Sequence, residues 1–138
     1  MPFIKGGDLY KLLLMEKKFD EETVRFFITQ IILALGKLHE SNVMHRDMKL
    51  ENVMLCENGY IKLIDYGLAK QAQSDDLSTT KAGTPEYFAP EMISTSRAPG
   101  YNKTIDWWGV GIIMFELLTG KTPFHHKSRT RIEYNIRN

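Results

Sequence analysis

The chain has 138 residues, enough for one domain with a hydrophobic core, and its content of 43% hydrophobic and 25% charged residues is that of a globular protein. A formal net charge of +1 excludes the strongly basic surface of a nucleic-acid-binding domain, so no nucleic-acid partner is expected. The most apolar run, residues 107–115, is too short to cross a bilayer, and we expect no membrane association. A single cysteine, Cys56, favours a reducing, intracellular location, with the cytoplasm as the expected compartment.

Two helices are predicted in the first third of the chain. The first follows the Gly6-Gly7 bend and begins near Asp8. Asp20 has the character of a helix N-cap, and the two acidic residues after it favour the positive end of the helix dipole. The second helix is predicted to run from there to about His39, because apolar residues recur at helical spacing. These residues are Val24, Phe27, Ile28, Ile31, Leu35 and Leu38.

A β-hairpin is predicted next. Residues 53–55 and 61–64 are short, strand-like runs, and Asn58-Gly59 between them is a strong turn signal. Residues 70–81 are polar and without periodicity, which predicts a long, mobile surface loop.

The second half of the chain contains a long apolar helix. It is predicted from about Thr104 through Leu117, with Gly120 as its C-cap. This helix is apolar on nearly all sides, so we expect neighbouring elements to bury it. A further short helix is expected after Pro123-Phe124, whereas His125 and the histidine after it are interpreted as solvated loop residues.

One eight-residue segment carries the clearest chemical signal. Residues 45–52 read His-Arg-Asp-Met-Lys-Leu-Glu-Asn and match the catalytic-loop pattern of protein kinases at every fixed position. Phosphoryl transfer needs a carboxylate that orients the incoming hydroxyl and a metal ligand close by. Asp47 and Asn52 can supply them from one loop. Asp65-Tyr66-Gly67 follows the hairpin, where the family has Asp-Phe-Gly, and Ala89-Pro90-Glu91 comes later in the required order.

The chain is therefore identified as a member of the eukaryotic serine/threonine protein kinases and is most similar to the AGC group, which includes the cyclic-nucleotide-dependent kinases. The calcium/calmodulin-dependent group shares much of the pattern and is the closest rival. The resemblance covers essentially the whole chain. It is carried by residues 6–9, 45–52, 83–91 and 101–109.

The resemblance implies an α+β, protein-kinase-like fold, namely a mainly α-helical larger lobe (C-lobe) with a small β-hairpin. Residues 1–138 then correspond to a partial kinase domain, from the hinge to the start of the helix after the Pro-Phe loop. The smaller lobe (N-lobe) and the last C-lobe helices are expected to be missing. We therefore expect the isolated chain to be incomplete and to bind Mg-ATP weakly.

The implied function is ATP-dependent phosphorylation of serine and threonine on protein substrates, with ATP and Mg²⁺ as cofactors. By resemblance, Asp47 is the catalytic carboxylate, Lys49 contacts the transferring phosphate, and Thr84 tethers both. Asn52 and Asp65 are the implied metal ligands. The alternative left open is a catalytically inactive, truncated kinase module that acts in protein–protein interaction.

The resemblance also implies contacts to ATP. The backbone of Pro2 and Ile4 resembles the hinge that binds adenine, and Met54 resembles the apolar floor of the nucleotide pocket. Asp8 matches the ribose contact, and Glu51 is assigned with it to the nucleotide side of the site.

Three acidic residues suggest the character of the substrate. Asp8, Glu51 and Glu116 match positions that bind arginines upstream of the target residue in basophilic kinases, and carboxylate forks suit guanidinium. Under the alternative interpretation, Asp8 and Glu51 serve ribose and local structure, while Glu116 caps a solvated edge.

The loop before Ala89 is expected to carry a regulatory switch. Thr80 matches the position at which an activating kinase phosphorylates related enzymes, and Arg46 and Lys70 match the basic residues that receive the phosphate. A phosphate there would order the loop through charge-assisted hydrogen bonds. Ser78 and Thr79 are equally exposed alternatives on this interpretation.

Four further residues have implied structural roles. His45 and Tyr66 resemble members of a stacked column that links the loop, the metal motif and the long helix; the hydroxyl of Tyr66, absent from the usual phenylalanine, needs a partner. Asp106 is expected to accept hydrogen bonds from backbone N–H groups of the catalytic loop. Glu91 matches the glutamate that pairs with an arginine in the family.

Overall fold

The computed structural model describes residues 7–71, 77–93 and 100–138. The α-helices are α1 (Leu9–Glu16), α2 (Glu21–Glu40), α3 (Pro90–Ile93), α4 (Thr104–Thr119) and α5 (Arg129–Arg137). The strands are β1 (Val43–Met44), β2 (Val53–Leu55), β3 (Ile61–Leu63) and β4 (Lys70–Gln71). Short 3-10 turns at Leu50–Asn52, Tyr66–Leu68 and Pro85–Tyr87 join them. Within these ranges, no helix combines the length and apolar character that crossing a bilayer requires.

The first two helices begin where capping chemistry predicts. The Asp8 carboxylate accepts a hydrogen bond from the Lys11 N–H at 2.8 Å, and the Asp20 carboxylate accepts one from the Thr23 N–H at 2.8 Å. Each cap satisfies a backbone donor that the helix cannot satisfy itself. Both predicted helix starts are correct to within one residue.

The predicted hairpin is present, but a second sheet accompanies it. Strands β2 and β3 pair antiparallel, with Val53 opposite Leu63. A second antiparallel pair, β1 with β4, places Met44 opposite Lys70. Sequence periodicity could not reveal this pair, because each strand has two residues and its partner lies more than twenty positions away.

The predicted loop over residues 70–81 is therefore partly wrong. Its first two residues form β4, and Ser78, which is 2% exposed, forms an antiparallel bridge with Tyr101. The two N–H···O contacts of this bridge measure 2.8 and 2.9 Å. Residues 72–76 lie outside the described residues.

The core lies between α2 and α4. Buried side chains of α1, α2, the catalytic loop and the C-terminal half of α4 form the main hydrophobic cluster, and a smaller cluster joins α3, the start of α4 and α5. The neighbouring elements in the described structure cover α4 only in part. Three side chains of this helix remain partly exposed: Trp107 (39%), Met114 (44%) and Phe115 (40%).

The end of α4 is packed against the end of α1. Gly120 terminates α4 with a positive φ of 83°, and its N–H donates to the Glu116 carbonyl at 2.8 Å. A Cβ at this position would overlap the Lys17 carbonyl oxygen. Only glycine fits both the backbone conformation and the close approach.

We therefore expect Gly120→Ala to lower the free energy of unfolding by about 2 kcal/mol or more, since a left-handed alanine costs roughly 1–2 kcal/mol before any clash. The free energy of unfolding is measured by urea denaturation monitored by circular dichroism. Gly59→Ala is the matched control, because Gly59 has a φ of 80° and a Cβ added there would meet nothing within 4 Å. Equal losses in both variants would show that the contact with Lys17 contributes nothing.

Candidate active site

Asp106, in the first turn of α4, anchors the backbone of the catalytic loop. The carboxylate is 1% exposed and accepts the N–H groups of His45 and Arg46, each at 2.9 Å. A third contact was not predicted: His39 Nε2, at the end of α2, lies 2.7 Å from Asp106 Oδ2. The left-handed backbone of Arg46, with a φ of 67°, is thus held through its own N–H and that of the preceding residue. No sequence signal links His39 to a residue 67 positions away.

Asp47, Lys49 and Thr84 form a closed triangle of polar contacts. Lys49 Nζ lies 2.9 Å from Asp47 Oδ2 and donates to Thr84 Oγ1 at 3.2 Å. The Thr84 hydroxyl in turn donates to Asp47 Oδ1 at 3.2 Å. Gly83 permits this approach, since a Cβ there would lie 2.8 Å from the Arg46 carbonyl oxygen. The triangle fixes the carboxylate and holds a cation beside it.

Asn52 and Asp65, the two predicted metal ligands, are brought to the same place by the backbone. The Ile64 N–H donates to the Asn52 carbonyl at 2.9 Å, so Asp65 follows directly beside the loop. The Asn52 amide nitrogen donates to the Asp47 carbonyl at 2.7 Å and to Asp47 Oδ2 at 3.1 Å. Both amide protons face Asp47, which leaves the Oδ1 oxygen, the metal-donor atom of an amide, on the other side of the carboxamide.

These oxygen donors fit Mg²⁺. Asp65 is exposed in a left-handed conformation with a φ of 59°, and its Oδ1 accepts the Gly67 N–H at 3.2 Å. In the described ranges, no group of three or more His, Cys, Asp and Glu side chains is placed to hold a metal alone. Mg²⁺ suits such a site, because it is usually held by one or two carboxylates together with substrate phosphates.

The residues assigned to ATP are only partly within the described structure. Pro2 and Ile4 lie outside it. Asp8 and Met54 form an isolated antiparallel bridge, and the Leu55 N–H donates to the Gly7 carbonyl at 2.9 Å. The structure therefore places Asp8 beside Met54, while the Asp8 carboxylate also caps α1 and lies 3.1 Å from Lys11 Nζ.

His45 and Tyr66 are in ring contact. Their centroids are 5.4 Å apart in an edge-on arrangement, and His45 is fully buried. The Tyr66 hydroxyl donates to the Leu63 carbonyl at 3.2 Å, which supplies the partner that the extra oxygen needs. Tyr66 is nevertheless 51% exposed.

The regulatory residues meet around Arg46. Its Nε donates to the Leu68 carbonyl at 2.6 Å, and its Nη1 lies 3.5 Å from Ser78 Oγ. Thr80 is exposed, and its carbonyl accepts the Tyr101 hydroxyl at 2.5 Å. The interpretation that Ser78 is as exposed as its neighbours is wrong, because the bridge to Tyr101 buries it.

Lys70 precedes the segment of Ser78 and Thr80 in the chain, and Glu91 follows it. Lys70 is held in β4 opposite Met44. Glu91 is exposed in the first turn of α3, and no hydrogen bond or ion pair engages it within the described ranges.

A groove of about 640 Å³ begins at Thr84 and runs along the end of α4. Glu51, Glu86 and Glu116 line it, together with Tyr87. The interpretation of Glu116 as the cap of a solvated edge is wrong, because Glu116 is 6% exposed and accepts a hydrogen bond from the Tyr87 hydroxyl. Glu86 and Tyr87 were not singled out from the sequence, although they lie within the 83–91 motif.

Burial is the main cause of the shifted pKa values of Glu116 and Tyr87 in this groove. Burial raises the pKa of the Glu116 carboxyl; the hydrogen bond from Tyr87 opposes the shift, and the charges of Glu51 and Glu86 add to it. The pKa of Tyr87 is also raised, first by burial and then by the Glu116 charge. The surroundings of Glu116 therefore destabilise its ionised form, and an incoming cation would reduce this destabilisation.

A pH dependence follows for Glu116→Gln. Because the folded state raises the pKa of Glu116, the parent chain loses stability as the pH rises from about 4.3, the ordinary glutamate value, through the raised pKa. Glutamine can still accept the Tyr87 hydrogen bond and does not ionise. We expect the variant to gain stability relative to the parent between pH 4 and pH 7, as measured by urea denaturation at each pH. A stability difference that stays constant over this range would contradict the raised pKa.

Comparison with known proteins agrees with this geometry. The family model described as "Protein kinase domain" matches residues 1–138. The serine/threonine-protein kinase akt-2 of Caenorhabditis elegans is 44% identical over 96% of this chain, which corresponds to 25% of that protein. The cAMP-dependent protein kinase type 3 of Saccharomyces cerevisiae is 40% identical over 100% of this chain and 33% of its own length.

A further relative is the RAC-beta serine/threonine-protein kinase of Homo sapiens, 41% identical over 96% of this chain and 27% of that protein. The chain thus spans between a quarter and a third of the length of these curated relatives. The match extends over the catalytic loop, the metal motif and the groove, and the chain belongs to the protein kinase family.

Proposed function

We propose that a protein containing this chain transfers the terminal phosphoryl group of ATP to serine and threonine hydroxyls of protein substrates. The observation that carries the proposal is the triangle of Asp47, Lys49 and Thr84, in which the two Asp47 oxygens are held by Lys49 and Thr84. Bound Mg-ATP would supply the phosphoryl group and the metal charge that neutralises it.

The chain's own residues have distinct tasks on this proposal. Asp47 accepts the hydrogen bond of the incoming hydroxyl and orients its oxygen. Lys49 lies close enough to Asp47 to contact the transferring phosphate, and Asn52 with Asp65 would hold Mg²⁺. Nothing in the described arrangement favours the alternative of an inactive interaction module, since each of these groups is in place.

We also propose a preference for basic substrates. The groove that starts at Thr84 contains the buried carboxylate of Glu116 and the exposed carboxylate of Glu51. A guanidinium placed between them would satisfy both with charge-assisted hydrogen bonds. It would also offset the burial and, secondarily, the neighbouring carboxylate charges that raise the pKa of Glu116. Asp8 is a weaker contributor, because its carboxylate already caps α1 and pairs with Lys11.

The test is a transfer assay with a protein containing this chain, radiolabelled ATP and two peptides. One peptide contains arginine, and the other has citrulline in its place, which keeps the shape of the side chain without the charge. We expect the arginine peptide to have a kcat/KM at least about tenfold higher, since one charge-assisted contact contributes about 1.5–3 kcal/mol. The ratio should shrink in Glu51→Gln. Equal rates for both peptides would refute the basic preference, and absence of transfer with either would refute the activity.

Two further parts of the proposal concern regulation and location. Thr80 is exposed within a segment anchored at Ser78 and Tyr101, and we propose it as the site at which an activating kinase adds a phosphate for Arg46 and Lys70. Mass spectrometry of active protein that finds Thr80 unmodified would contradict this. The single, half-buried Cys56 supports a reducing compartment, and we propose the cytoplasm.

A further inference from the structure

The groove beside Thr84 is lined by side chains of both charges. Besides the three glutamates, it is lined by Lys17, Lys121 and His125. A groove that only recognised arginine would gain nothing from lysines, because a cationic substrate is repelled by them. The position of these two lysines relative to Glu116 therefore bears on what the groove binds.

The packing of α1 on α4 brings the two lysines together. Lys17 follows α1 with a φ of 69°, and its carbonyl oxygen is so close to Gly120 that a Cβ there would overlap it. The neighbouring Phe19 N–H donates to the Leu117 carbonyl at 2.9 Å. Lys121 is the residue directly after Gly120. Among the described residues, neither ammonium group has an ion-pair partner, and both are exposed.

The lysine pair lies at a defined distance from Glu116. Gly120 follows Glu116 by one helical turn, since its N–H donates to the Glu116 carbonyl, and four residues of helix advance about 6 Å. An extended peptide advances about 3.3 Å per residue. Asp106, in the first turn of α4, binds the catalytic loop, so α4 runs away from that loop. The backbone of Gly120 and Lys121 thus lies about two extended peptide residues beyond that of Glu116, on the side remote from the loop.

The third glutamate, Glu86, forms no ion pair with either lysine in the described structure. Glu86 Oε1 lies 2.8 Å from His125 Nδ1, and Glu86 Oε2 accepts the Thr122 hydroxyl at 2.5 Å. Both carboxylate oxygens are therefore held by the segment after α4. Glu51 and Glu116 line the same groove, and neither carboxylate is bound by that segment in the described structure.

We propose that the Lys17–Lys121 end of the groove is an anion subsite. The substrate segment that binds here carries an acidic group, either a carboxylate or a phosphorylated side chain. This group lies about two positions beyond the basic residue, counted away from the acceptor hydroxyl. The inference rests on the proposed function for the identity of the ligand as a substrate peptide, and it adds the second half of the charge pattern that the groove recognises.

The test measures peptide binding to the 138-residue chain by fluorescence anisotropy without ATP, so that it does not depend on phosphoryl transfer. Three labelled peptides share one arginine and carry glutamate, glutamine or lysine two positions beyond it. We expect the glutamate peptide to bind about three- to fivefold more tightly than the glutamine peptide and the lysine peptide to bind weakest, with differences that diminish at high salt. A fourth peptide, with phosphoserine, distinguishes the two anion sources by its affinity relative to glutamate.

The double variant Lys17→Glu, Lys121→Glu should reverse the order, with the lysine peptide now preferred. Lys62→Glu, at an exposed position of β3 outside the groove, is the matched control and should keep the parent's order. Equal binding of the glutamate and glutamine peptides to the parent chain would overturn the proposal without any variant, as would the absence of binding by all peptides. If citrulline replaced arginine without effect while the glutamate preference persisted, the basic preference would fail and the anion subsite would stand.

Discussion

Asp47→Asn is expected to lower the rate of phosphoryl transfer by roughly 10²- to 10⁴-fold, the usual contribution of a positioned acid–base group. Asparagine keeps the shape of the side chain and one accepting oxygen but loses the charge that orients the substrate hydroxyl. The measurement is kcat for transfer from Mg-ATP to a saturating arginine-containing peptide, by a protein containing this chain. KM for the peptide should change little, because the groove begins at Thr84 and does not use Asp47 to hold the peptide.

Asp20→Asn is the control for this variant. Asp20 is an exposed carboxylate that caps α2, and asparagine caps helices equally well, so transfer should be unchanged. A fall in kcat of less than about tenfold in Asp47→Asn would contradict the assignment of the catalytic carboxylate. A parallel fall in both variants would indicate a general loss of folded protein instead.

Asp106→Asn is expected to be the most destabilising single-atom change in the described structure, lowering the free energy of unfolding by about 3 kcal/mol or more. The Asp106 carboxylate accepts from His39, His45 and Arg46 while almost fully buried. An asparagine has one accepting oxygen and directs an NH₂ group at donors, which leaves buried N–H groups without acceptors. Urea denaturation at pH 7 measures the loss.

Variants at His39 separate the parts of this arrangement. His39→Gln retains an N–H donor for Asp106, whereas His39→Leu does not, so the leucine variant should lose more stability than the glutamine variant. The exposed control Asp20→Asn should leave the unfolding midpoint unchanged. If Asp106→Asn were as stable as that control, the three contacts would be geometrically close but energetically unimportant.

The helices and the hairpin could be predicted because their determinants are local. Capping by Asp8 and Asp20, the helical spacing of apolar residues in α2 and the turn at Gly59 each act within a few residues. The same holds for the order of motifs, which identifies the kinase family before any contact is known. What residues do to neighbours within one turn or one loop can be inferred from their order alone.

The contacts that assemble the site are non-local, and sequence alone could suggest them only through resemblance. Thr84 meets Asp47 across 37 residues, and Asp106 meets His45 across 61. The pairing of β1 with β4 and the burial of Ser78 against Tyr101 were missed, because such short segments have no periodicity to detect.

The catalytic loop illustrates the division most clearly. Its eight residues by themselves indicated the proposed chemistry, since a carboxylate, a lysine and an amide at fixed spacing suit phosphoryl transfer. Only the tertiary structure decided the surroundings: the buried Glu116 against Tyr87, and Lys17 beside Gly120 at the far end of the groove. The physical reason is that charge and burial depend on which distant side chains share a space, and that is set by how α1, α2 and α4 pack together.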